Sequence, residues 1–317
     1  MQRFEVNKIR WVSDIYKTLE NKNFNSRGFY EFYINEQGKR RFIQSVHISE
    51  RTIQKALTNM ALKPLILPKL IYDNSASVEG KGTDFAINRL KYHLARHYRK
   101  YGREGGILIL DFKNYFASIE HNILKKELKY YIKDEELYDL TEKFISCYNN
   151  KGIGLGSEVS QIFAISFPNK LDYYIQNNPK TEVYARFMDD SYVISNDLEY
   201  LKELKDKIIK YSSKLGLTIN TKRIQIIKFN GGSFTYLKKR FMINSKGKIV
   251  IRLSREAIAR QRRKLKKQLR LLNKKQINME HIQMSYISWR GMAKKYNTYK
   301  TIYEMDCLYK KLFKEDF

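Results

Sequence analysis

The sequence predicts an α+β fold in which an antiparallel sheet packs against helices. The stretch Val183–Ser195 contains two short β-rich runs around Asp189 and Asp190, a pattern typical of a β-hairpin. Gly106–Asp111 is an apolar run that ends in a carboxylate, and four consecutive aliphatic residues favour a strand covered on both faces. Asp197–Leu215 places apolar residues at helical spacing and ends before a glycine.

The carboxylates at the ends of these strands are the first candidate site. Adjacent Asp189 and Asp190 repel each other unless a cation or solvent screens them, although Asp-Asp-Ser is also a good turn sequence. If the strand ending at Asp111 pairs with the hairpin, Asp111 and Asp189 can converge on a hard cation. Mg²⁺ prefers carboxylate oxygens and leaves positions open for phosphates. Two such ions about 3.5–4 Å apart are the usual arrangement for nucleotidyl transfer.

Five segments in a fixed order resemble the sequence boxes of reverse transcriptases. In chain order they are Asp111–Phe116, Gly156–Gln161, Phe187–Asp190, Leu215–Lys222 and Phe234–Leu237. Phe187–Asp190 is similar to the Tyr-x-Asp-Asp box, with Phe in place of Tyr. The chain therefore resembles bacterial reverse transcriptases of the group II intron and retron superfamily.

This resemblance implies a right-hand polymerase. Residues 1–105 would form an N-terminal segment and the fingers, 106–245 the palm with part of the fingers, and 246–317 a helical thumb. The implied activity is RNA-directed DNA synthesis with two Mg²⁺ ions, or Mn²⁺ in their place. The resemblance assigns the metal site to Asp111, Phe112, Asp189 and Asp190.

The resemblance also implies a nucleotide site. Phe29–Ile34 and Lys39–Ile43 predict a hairpin similar to the fingers hairpin, in which Lys39 and Arg41 match residues that contact the incoming nucleotide. The same cations would otherwise protect a solvated sheet edge. Phe116 matches the sugar gate, a ring that leaves no room for a 2′-hydroxyl, and the main-chain amides of residues 112–115 are expected to face the triphosphate. The nucleotide-binding residues implied are Lys39, Arg41, Phe112, Tyr115, Phe116, Gly156, Ser160 and Gln161.

The box at Gly156 points to a subgroup of the family. Gly156, Ser160 and Gln161 match residues that support the template and the nascent base pair. Group II intron and retron enzymes usually have Gln before this glycine and Pro after the serine, whereas this chain has Leu155 and Gln161. That form resembles reverse transcriptases of diversity-generating retroelements and related enzymes of phage defence.

Two basic regions complete the predicted site. Lys222 matches the position of a general acid for pyrophosphate, with Arg223 as an adjacent competitor and a surface lysine as the alternative. Ser49 opens a helix that is expected to end before Pro64, and Arg51 in this helix matches a nucleic-acid contact in related polymerases.

A further helix is predicted over Ser157–Leu171, directly after the glycine of the box at Gly156.

The net charge of +28 favours a polyanionic partner, through phosphate neutralisation and counterion release. A basic helix beginning near Ser254 is expected to bind the RNA–DNA duplex through Arg260, Arg263 and Lys267. A membrane-surface protein is disfavoured because the aromatic residues are scattered along the chain, and no apolar run approaches the ~20 residues of a membrane helix.

Other patterns are weaker. Gly80–Thr83 lacks the spacing of a Walker motif, and His93 with His97 lacks a third zinc ligand, so packing or nucleic-acid contact is favoured there. Cys147 and Cys307 predict reduced thiols in a cytoplasmic protein.

The predicted function is a reverse transcriptase that copies template RNA with dNTPs, within a diversity-generating retroelement. The alternatives are an antiphage reverse transcriptase and a non-catalytic RNA-binding protein on a polymerase scaffold. A structured noncoding RNA or a small accessory protein would be an additional partner.

Overall fold

The computed structural model describes residues 6–36 and 38–315, apart from the side chain of Lys39. Its helices are α1 (Lys8–Glu20), α2 (Ile48–Ala56), α3 (Lys63–Ile66), α4 (Thr83–Tyr101), α5 (Tyr115–Ser118), α6 (His121–Tyr131), α7 (Glu135–Ser146), α8 (Glu158–Ser166), α9 (Asn169–Gln176), α10 (Leu198–Lys214), α11 (Arg255–Asn273), α12 (Met279–Lys294) and α13 (Tyr299–Phe313). Its strands are β1 (Phe29–Glu36), β2 (Lys39–Val46), β3 (Gly106–Asp111), β4 (Val183–Phe187), β5 (Asp190–Ser195), β6 (Gln225–Lys228), β7 (Ser233–Tyr236), β8 (Lys239–Ile243) and β9 (Ile249–Leu253).

The chain divides into two compact units. The first contains the described residues up to Asn88 together with Leu108–Gln225, and the second contains Arg89–Ile107 together with the described residues from Ile226 onwards. The predicted hairpin around Asp189 and Asp190 lies in the first unit, and so does the predicted fingers hairpin.

The sheet of the first unit confirms the two strand predictions that define the site. β4 and β5 pair antiparallel, with Val183 opposite Ile194 and Phe187 opposite Asp190. β5 is the neighbour of β3 in the same sheet. Every residue of β3 is buried, as expected for an apolar strand covered on both faces. The carboxylate that ends β3 is therefore brought next to the hairpin.

The predicted helix Ser157–Leu171 is wrong, because the structure divides it into α8 and α9. α8 begins after Ser157, whose Oγ accepts a hydrogen bond from the Ser160 amide at 3.4 Å, and it ends at Ser166. The break follows from Pro168, which has no N–H and cannot donate to the carbonyl of Ala164 four residues back. Two carbonyls at the end of α8 are thereby freed for other partners.

The helix predicted to end before Pro64 continues instead. α2 passes into a π-helical segment, Leu57–Leu62, and then into α3, which contains Pro64. The Lys63 amide donates to the carbonyl of Thr58, five residues back. A wider turn of this kind relieves the clash that a proline ring makes in a regular α-helix.

The described residues of the second unit from Ser233 onwards form an antiparallel meander and the helices α11–α13. In the meander β7–β8–β9, Phe234 lies opposite Phe241, and Phe241 lies opposite Ile251. α11 begins at Arg255, directly after its capping residue Ser254, as the predicted start near Ser254 indicates. Helices α11–α13 share a core formed by Leu265, Ile282, Tyr286, Met305 and Tyr309.

His93 and His97 are both buried within the second unit. The Nε2 atom of His97 donates to the carbonyl of Glu104 at 2.8 Å, and its ring lies 4.8 Å from that of Phe229. These contacts support the packing interpretation of His97.

No helix in the described part of the chain combines the length and the apolar character that a membrane crossing requires.

Candidate catalytic site

The hairpin formed by β4 and β5 presents Asp189 at its tip. Only Met188 and Asp189 stand between the paired residues Phe187 and Asp190. Met188 adopts a left-handed backbone conformation with a φ of 57°, which costs a residue with a Cβ roughly 1–2 kcal/mol. The carbonyl of Asp189 accepts a hydrogen bond from the amide of Phe112 at 3.2 Å. The tip is therefore attached to the residue that directly follows β3.

Asp111 lies at the end of β3 and is 4% exposed. Its Oδ2 accepts from the Asn220 amide nitrogen at 2.8 Å, and its Oδ1 lies 3.4 Å from a guanidinium nitrogen of Arg223. The main chain of Asn220 also donates to the carbonyl of Asp111 at 2.7 Å. The segment after α10 therefore fixes both the backbone and the side chain of Asp111.

Asp190 belongs to the same acidic group. Burial, followed by the negative charges of Asp189 and Asp111, raises the pKa of Asp190 to about 7, while Arg223 opposes this rise. Hydrogen bonding toward the Asp111 carboxyl raises the pKa of Asp190 further, although it is the smallest of these causes. Three carboxyl groups therefore converge with too little positive charge to balance them.

A cavity of about 590 Å³ opens in front of these carboxylates. Asp111 and Asp189 line it together with five cationic side chains, which are Arg40, Arg41, Lys113, Lys151 and Arg223. The aromatic residues Phe42, Phe112, Tyr115, Phe116 and Tyr148 complete much of the wall. Such a cavity offers metal ligands on one side and counter-charges for a polyphosphate on the other.

The carboxylates suit a divalent cation that takes some of its ligands from the protein and the others from water and a substrate. Within residues 6–36 and 38–315, no group of three or more His, Cys, Asp or Glu side chains is arranged to hold an ion by itself. Mg²⁺ is usually bound by one or two carboxylates together with water and substrate phosphates, and rarely by an all-protein cage. Asp111 and Asp189, which line one cavity, match that donor set.

A buried ion pair lies behind the hairpin. Arg186 on β4 and Asp172 on α9 are both fully buried and are 2.7 Å apart between Nη2 and Oδ2. Arg186 also donates to the carbonyl of Ile165 at 2.7 Å and to the carbonyl of Met188 at 3.1 Å. The hydroxyl of Tyr184 donates to Asp172 at 2.7 Å. The guanidinium therefore connects the strained turn to the two helices behind it.

The break between α8 and α9 supplies this network with acceptors. The carbonyl of Ile165 accepts from Arg186 and also from the side-chain amide of Asn74, at 3.1 Å. The carbonyl of Ala164 accepts from the hydroxyl of Tyr115 at 2.5 Å. Tyr115 lines the cavity of Asp111 and Asp189. The carbonyl of Ala164 lacks a helical partner because Pro168 has no N–H, and the carbonyl of Ile165 lacks one because α8 ends at Ser166.

The structure brings six of the predicted site residues to one cavity. They are Arg41, Asp111, Phe112, Tyr115, Phe116 and Asp189. Arg41 also forms an ion pair with Glu36 at 2.5 Å. Lys39 lies in β2, but its side chain is outside the described part of the structure.

Other predicted residues do not line this cavity. Gly156 and Arg51 line a neighbouring one, whereas Ser160 is buried and its Oγ lies 3.1 Å from the hydroxyl of Tyr148. Gln161 accepts from Ser77 at 2.9 Å. Lys222 is exposed and is not part of the cavity wall, which contains its neighbour Arg223 instead.

The predicted duplex-binding residues lie on α11, in the second unit. Arg263 and Lys267 are exposed and Arg260 is partly buried. Their spacing by three and four residues gives one helical face, as the sequence indicates.

The prediction that the amides of residues 112–115 face a triphosphate is wrong for two of them. The amide of Phe112 donates to the carbonyl of Asp189, and the amide of Lys113 donates to the carbonyl of Thr218 at 2.8 Å. These donors hold the site together, so they are not available to a ligand.

Several wall residues escaped the sequence analysis. They include Gln44, Lys113, Tyr148 and Asn149. Gly154 allows a close approach at this wall, because a Cβ there would lie 2.4 Å from the Tyr148 ring. Residues 151–156 contain three glycines, a pattern that indicates close backbone approach, but nothing in the sequence identifies Tyr148 as the partner.

Asp190→Asn should stabilise the metal-free protein at neutral and alkaline pH. The pKa of Asp190 is about 7 in the folded protein, whereas an aspartate in the unfolded chain has a pKa of about 4. Between these two pH values the unfolded chain has already released the proton that the folded protein still holds. The stability of the wild type therefore decreases as the pH rises from about 4 to about 7. We expect a gain in the free energy of unfolding of roughly 2–4 kcal/mol at pH 8 in EDTA, and no gain below about pH 4. Chemical denaturation across this pH range measures it, and identical curves would contradict the charge repulsion described above.

Arg186→Lys should weaken cation binding as well as stability. A single ammonium group cannot contact Asp172, Ile165 and Met188 together, so the turn that carries Asp189 loses its support. We expect the affinity for Mn²⁺, measured by calorimetry, to fall about tenfold, with a loss of ~2 kcal/mol in unfolding free energy.

Tyr184→Phe is the matched control for Arg186→Lys. It removes one hydrogen bond to Asp172, worth ~1 kcal/mol, but leaves the contact between Arg186 and Met188 in place. Its Mn²⁺ affinity should be unchanged. If Arg186→Lys loses stability but keeps its Mn²⁺ affinity, Arg186 supports the fold alone and does not position the site.

Comparison with solved structures identifies the fold. Apo telomerase from Candida tropicalis, truncated from its C-terminal domain, superposes with a TM-score of 0.52 at 14% identity, covering 70% of this chain and 54% of that one. Telomerase from Candida albicans with a fragment of telomeric RNA gives 0.53 at 10% identity, covering 73% and 46%. The RNA-dependent RNA polymerase of a human picobirnavirus, an insertion-loop deletion mutant, gives 0.53 at 15% identity, covering 74% and 49%.

These likenesses confirm the predicted right-hand polymerase fold, and at such low identity they concern the fold alone. The chain spans about half the length of these three structures. Comparison of the sequence with curated proteins gave no match. The profile of the family described as "Reverse transcriptase (RNA-dependent DNA polymerase)" matches residues 20–242, which is more than half of the chain. The chain belongs to the reverse transcriptase family.

Proposed function

We propose that this protein is an RNA-directed DNA polymerase that extends a primer with dNTPs on an RNA template. The observation that carries the proposal is the single cavity in which Asp111 and Asp189 face Arg40, Arg41, Lys151 and Arg223. Nucleotidyl transfer needs carboxylates for cations and positive charge for a triphosphate. Membership of the reverse transcriptase family supports the same activity.

Asp111 and Asp189, with Asp190 behind them, would hold the divalent cations, which are Mg²⁺ or Mn²⁺. Bound there, the ions would activate the 3′-hydroxyl of the primer and stabilise the leaving pyrophosphate. Arg40 and Arg41 would neutralise the phosphates of the incoming nucleotide, as would Lys39 on the same strand. Phe112, which directly follows Asp111, would contribute a main-chain group to the same metal site.

The proton donor to the leaving pyrophosphate is assigned to the 222–223 segment. Lys222 is the family match, whereas Arg223 lies 3.4 Å from Asp111 and lines the cavity. Arg223 is always charged and is a poor proton donor, so its part is electrostatic: it balances the acidic group until a cation replaces it. Lys222 stays the proposed acid.

Residues 1–105 would form an N-terminal segment and the fingers, 106–245 the palm with part of the fingers, and 246–317 the thumb. Gly156, Ser160 and Gln161 would support the template, and Arg260, Arg263 and Lys267 the RNA–DNA duplex. Two telomerase structures among the neighbours were solved with a fragment of telomeric RNA, which supports an RNA ligand for this fold.

The setting that we favour is a diversity-generating retroelement, on the basis of Leu155 and Gln161. The alternative is antiphage defence with a dedicated noncoding RNA. Errors at template adenines in the sequenced cDNA, together with a template and variable repeat pair beside the gene, would support the first. Uniform low error at all four template bases would exclude it.

Primer extension tests the activity. The purified protein with Mg²⁺, dNTPs and a primed RNA template should extend the primer, and the double variant Asp189→Ala/Asp190→Ala should lose at least about 10³-fold in rate because it lacks two carboxylates of the acidic group. The same assay is repeated with protein purified with its cellular RNA. No extension in either format would favour the non-catalytic RNA-binding alternative.

Phe116→Ala should relax the choice of sugar. Phe116 lines the cavity and packs edge-on against Tyr115, with ring centres 5.9 Å apart, so its ring is held in place. Removing the ring would create room for a 2′-hydroxyl, and the preference for dNTPs over rNTPs in kcat/KM should fall about 10–100-fold. Phe42→Ala, which removes another aromatic ring of the same wall, is the control, and an equal loss of preference in both variants would contradict a specific gate.

A further inference from the structure

Four tyrosines lie on the outer surface of three neighbouring helices of the first unit. Tyr130 belongs to α6, Tyr173 and Tyr174 belong to α9, and Tyr211 belongs to α10. Tyr130 is 58% exposed, Tyr174 43% and Tyr173 38%, and Tyr211 is half-buried. We call these four residues the tyrosine face. Several large rings exposed on one surface make it a candidate for binding a partner.

Direct contacts join the three helices beneath this face. The side-chain amide of Asn169 on α9 donates to the hydroxyl of Tyr131 on α6 at 2.8 Å. The ring of Tyr174 on α9 lies 5.3 Å from that of Tyr211 on α10. α9 therefore connects α6 with α10, and the four rings belong to one continuous surface.

The tyrosine face points away from the hairpin formed by β4 and β5. Asp172 lies on the buried side of α9, where it pairs with Arg186 of β4. Tyr173 and Tyr174 lie on the exposed side of the same helix. None of the four tyrosines lines the cavity in front of the carboxylates. A ligand bound at the tyrosine face is therefore separate from the contents of that cavity.

Two lysines accompany the ring of Tyr130. The Nζ atoms of Lys69 and Lys133 lie 5.3 Å and 5.7 Å from the centre of this ring. The main chain of Lys69 is fixed, because its carbonyl accepts from the side-chain amide of Asn169 at 3.0 Å. Within the described part of the chain, neither lysine pairs with a carboxylate. Each ammonium group therefore retains donors that a phosphate beside the ring can accept from.

Lysines also accompany the rings of α9 and α10. Lys170 precedes Tyr174 by four residues, so the two side chains share one face of α9. Lys207 and Lys214 stand four residues before and three residues after Tyr211, so these three side chains share one face of α10. Each part of the tyrosine face thus combines exposed rings with positive charge.

Two carboxylates reduce this charge without cancelling it. Glu127 lies 2.8 Å from Nζ of Lys170, and Glu203 lies 3.9 Å from Nζ of Lys207. Both lysine side chains are more than half exposed, and ion pairs at such positions are weak. Among the residues that the structure describes, no carboxylate pairs with Lys214. The face therefore keeps an excess of positive charge, which is complementary to a polyanion.

Exposed rings beside ammonium groups suit a single-stranded nucleic acid. Every base has a π-face that can stack on an aromatic ring, and the phosphates between the bases attract lysine. In a duplex the bases are paired and stacked on each other, so the tyrosines could not reach their faces. The combination of tyrosine and lysine therefore favours an unpaired strand over a duplex.

We propose that the tyrosine face binds an unpaired segment of RNA, with bases stacked on the tyrosines and phosphates held by the lysines. The choice of RNA rests on the proposed function, because the RNA that the enzyme copies is present before any DNA is made. The face would bind a part of that molecule that is not being copied. It would thus hold the RNA at a second point, outside the cavity.

Competition binding tests the stacking. The protein is saturated with an unlabelled, blunt-ended primer–template duplex without dNTPs, and a labelled single-stranded RNA of about twelve nucleotides is then titrated. Tyr173→Ala/Tyr174→Ala should bind this RNA about 10–100-fold more weakly, because two bases lose their stacking partners. Tyr173→Phe/Tyr174→Phe keeps both rings and should stay within about threefold of the wild type.

Lys69→Gln/Lys133→Gln tests the phosphate contacts independently. Both side chains are exposed, so this variant should keep the thermal unfolding midpoint of the wild type. Its slope of log Kd against log salt for the same RNA should fall by about 1.4, which is ~0.7 for each lost phosphate contact. An unchanged slope would show that these lysines do not bind phosphates.

Tyr16→Ala is the matched control for the loss of an exposed ring. Tyr16 lies on α1, outside the tyrosine face, and is 64% exposed. Its hydroxyl donates to Glu20 at 3.3 Å, so a carboxylate and not an ammonium group lies beside it. This variant should bind the single-stranded RNA like the wild type.

Two comparison ligands define the partner. The alanine pair at 173 and 174 should bind an RNA duplex of the same length like the wild type, because paired bases do not expose their faces. If it weakens binding of the duplex equally, or binds single-stranded RNA like the wild type, the tyrosines do not stack on bases. Tighter binding of single-stranded DNA than of RNA with the same sequence would overturn the assignment to RNA.

Primer extension separates this proposal from the proposed function. The alanine pair should extend a short primed template like the wild type, because the tyrosine face is not part of the cavity. A protein whose tyrosines bind RNA but that extends no primer would keep the face and lose the polymerase. A protein that extends primers, and whose alanine pair binds RNA like the wild type, would keep the polymerase and lose the face.

Discussion

The candidate site depends on the buried ion pair between Arg186 and Asp172. Removing two charges from water costs several kcal/mol for each ion, and this cost is offset only when the hydrogen-bonding groups of both find partners. Here the guanidinium reaches Asp172, Ile165 and Met188, and the carboxylate also accepts from Tyr184. The pair holds a hairpin turn that carries a positive φ at Met188, and this turn places Asp189 beside the end of β3.

Two helices of the first unit depart from regular α-helical hydrogen bonding. The proline break after α8 leaves two carbonyls without helical partners, and these accept from Tyr115 and Arg186. The π-helical segment accommodates Pro64 within a continuous helix while Leu62 stays in the core. The break after α8 therefore frees carbonyls that the candidate site uses, whereas the π-helical segment lets one helix continue past a proline.

Electrostatics explains why the same region attracts both cations and polyanions. The acidic group around Asp111 is short of positive charge, as the raised pKa of Asp190 indicates, whereas the facing wall of the cavity is rich in arginine and lysine. Divalent cations and a phosphate-bearing substrate would balance both regions together. The net charge of +28 indicates that this excess of positive charge extends over the chain.

The sequence by itself determined the features that depend on local pattern. Periodicity and motif predicted the hairpin around Asp189 and the buried strand that ends at Asp111. The order of the sequence boxes predicted the family. The tertiary structure alone decided that Arg186 supports the turn and that Arg223, rather than Lys222, lies against Asp111. The physical reason is that side-chain periodicity reports the neighbours along one element. A buried charge or a freed carbonyl finds its partner many residues away, and only the packed fold determines which one lies within hydrogen-bonding distance.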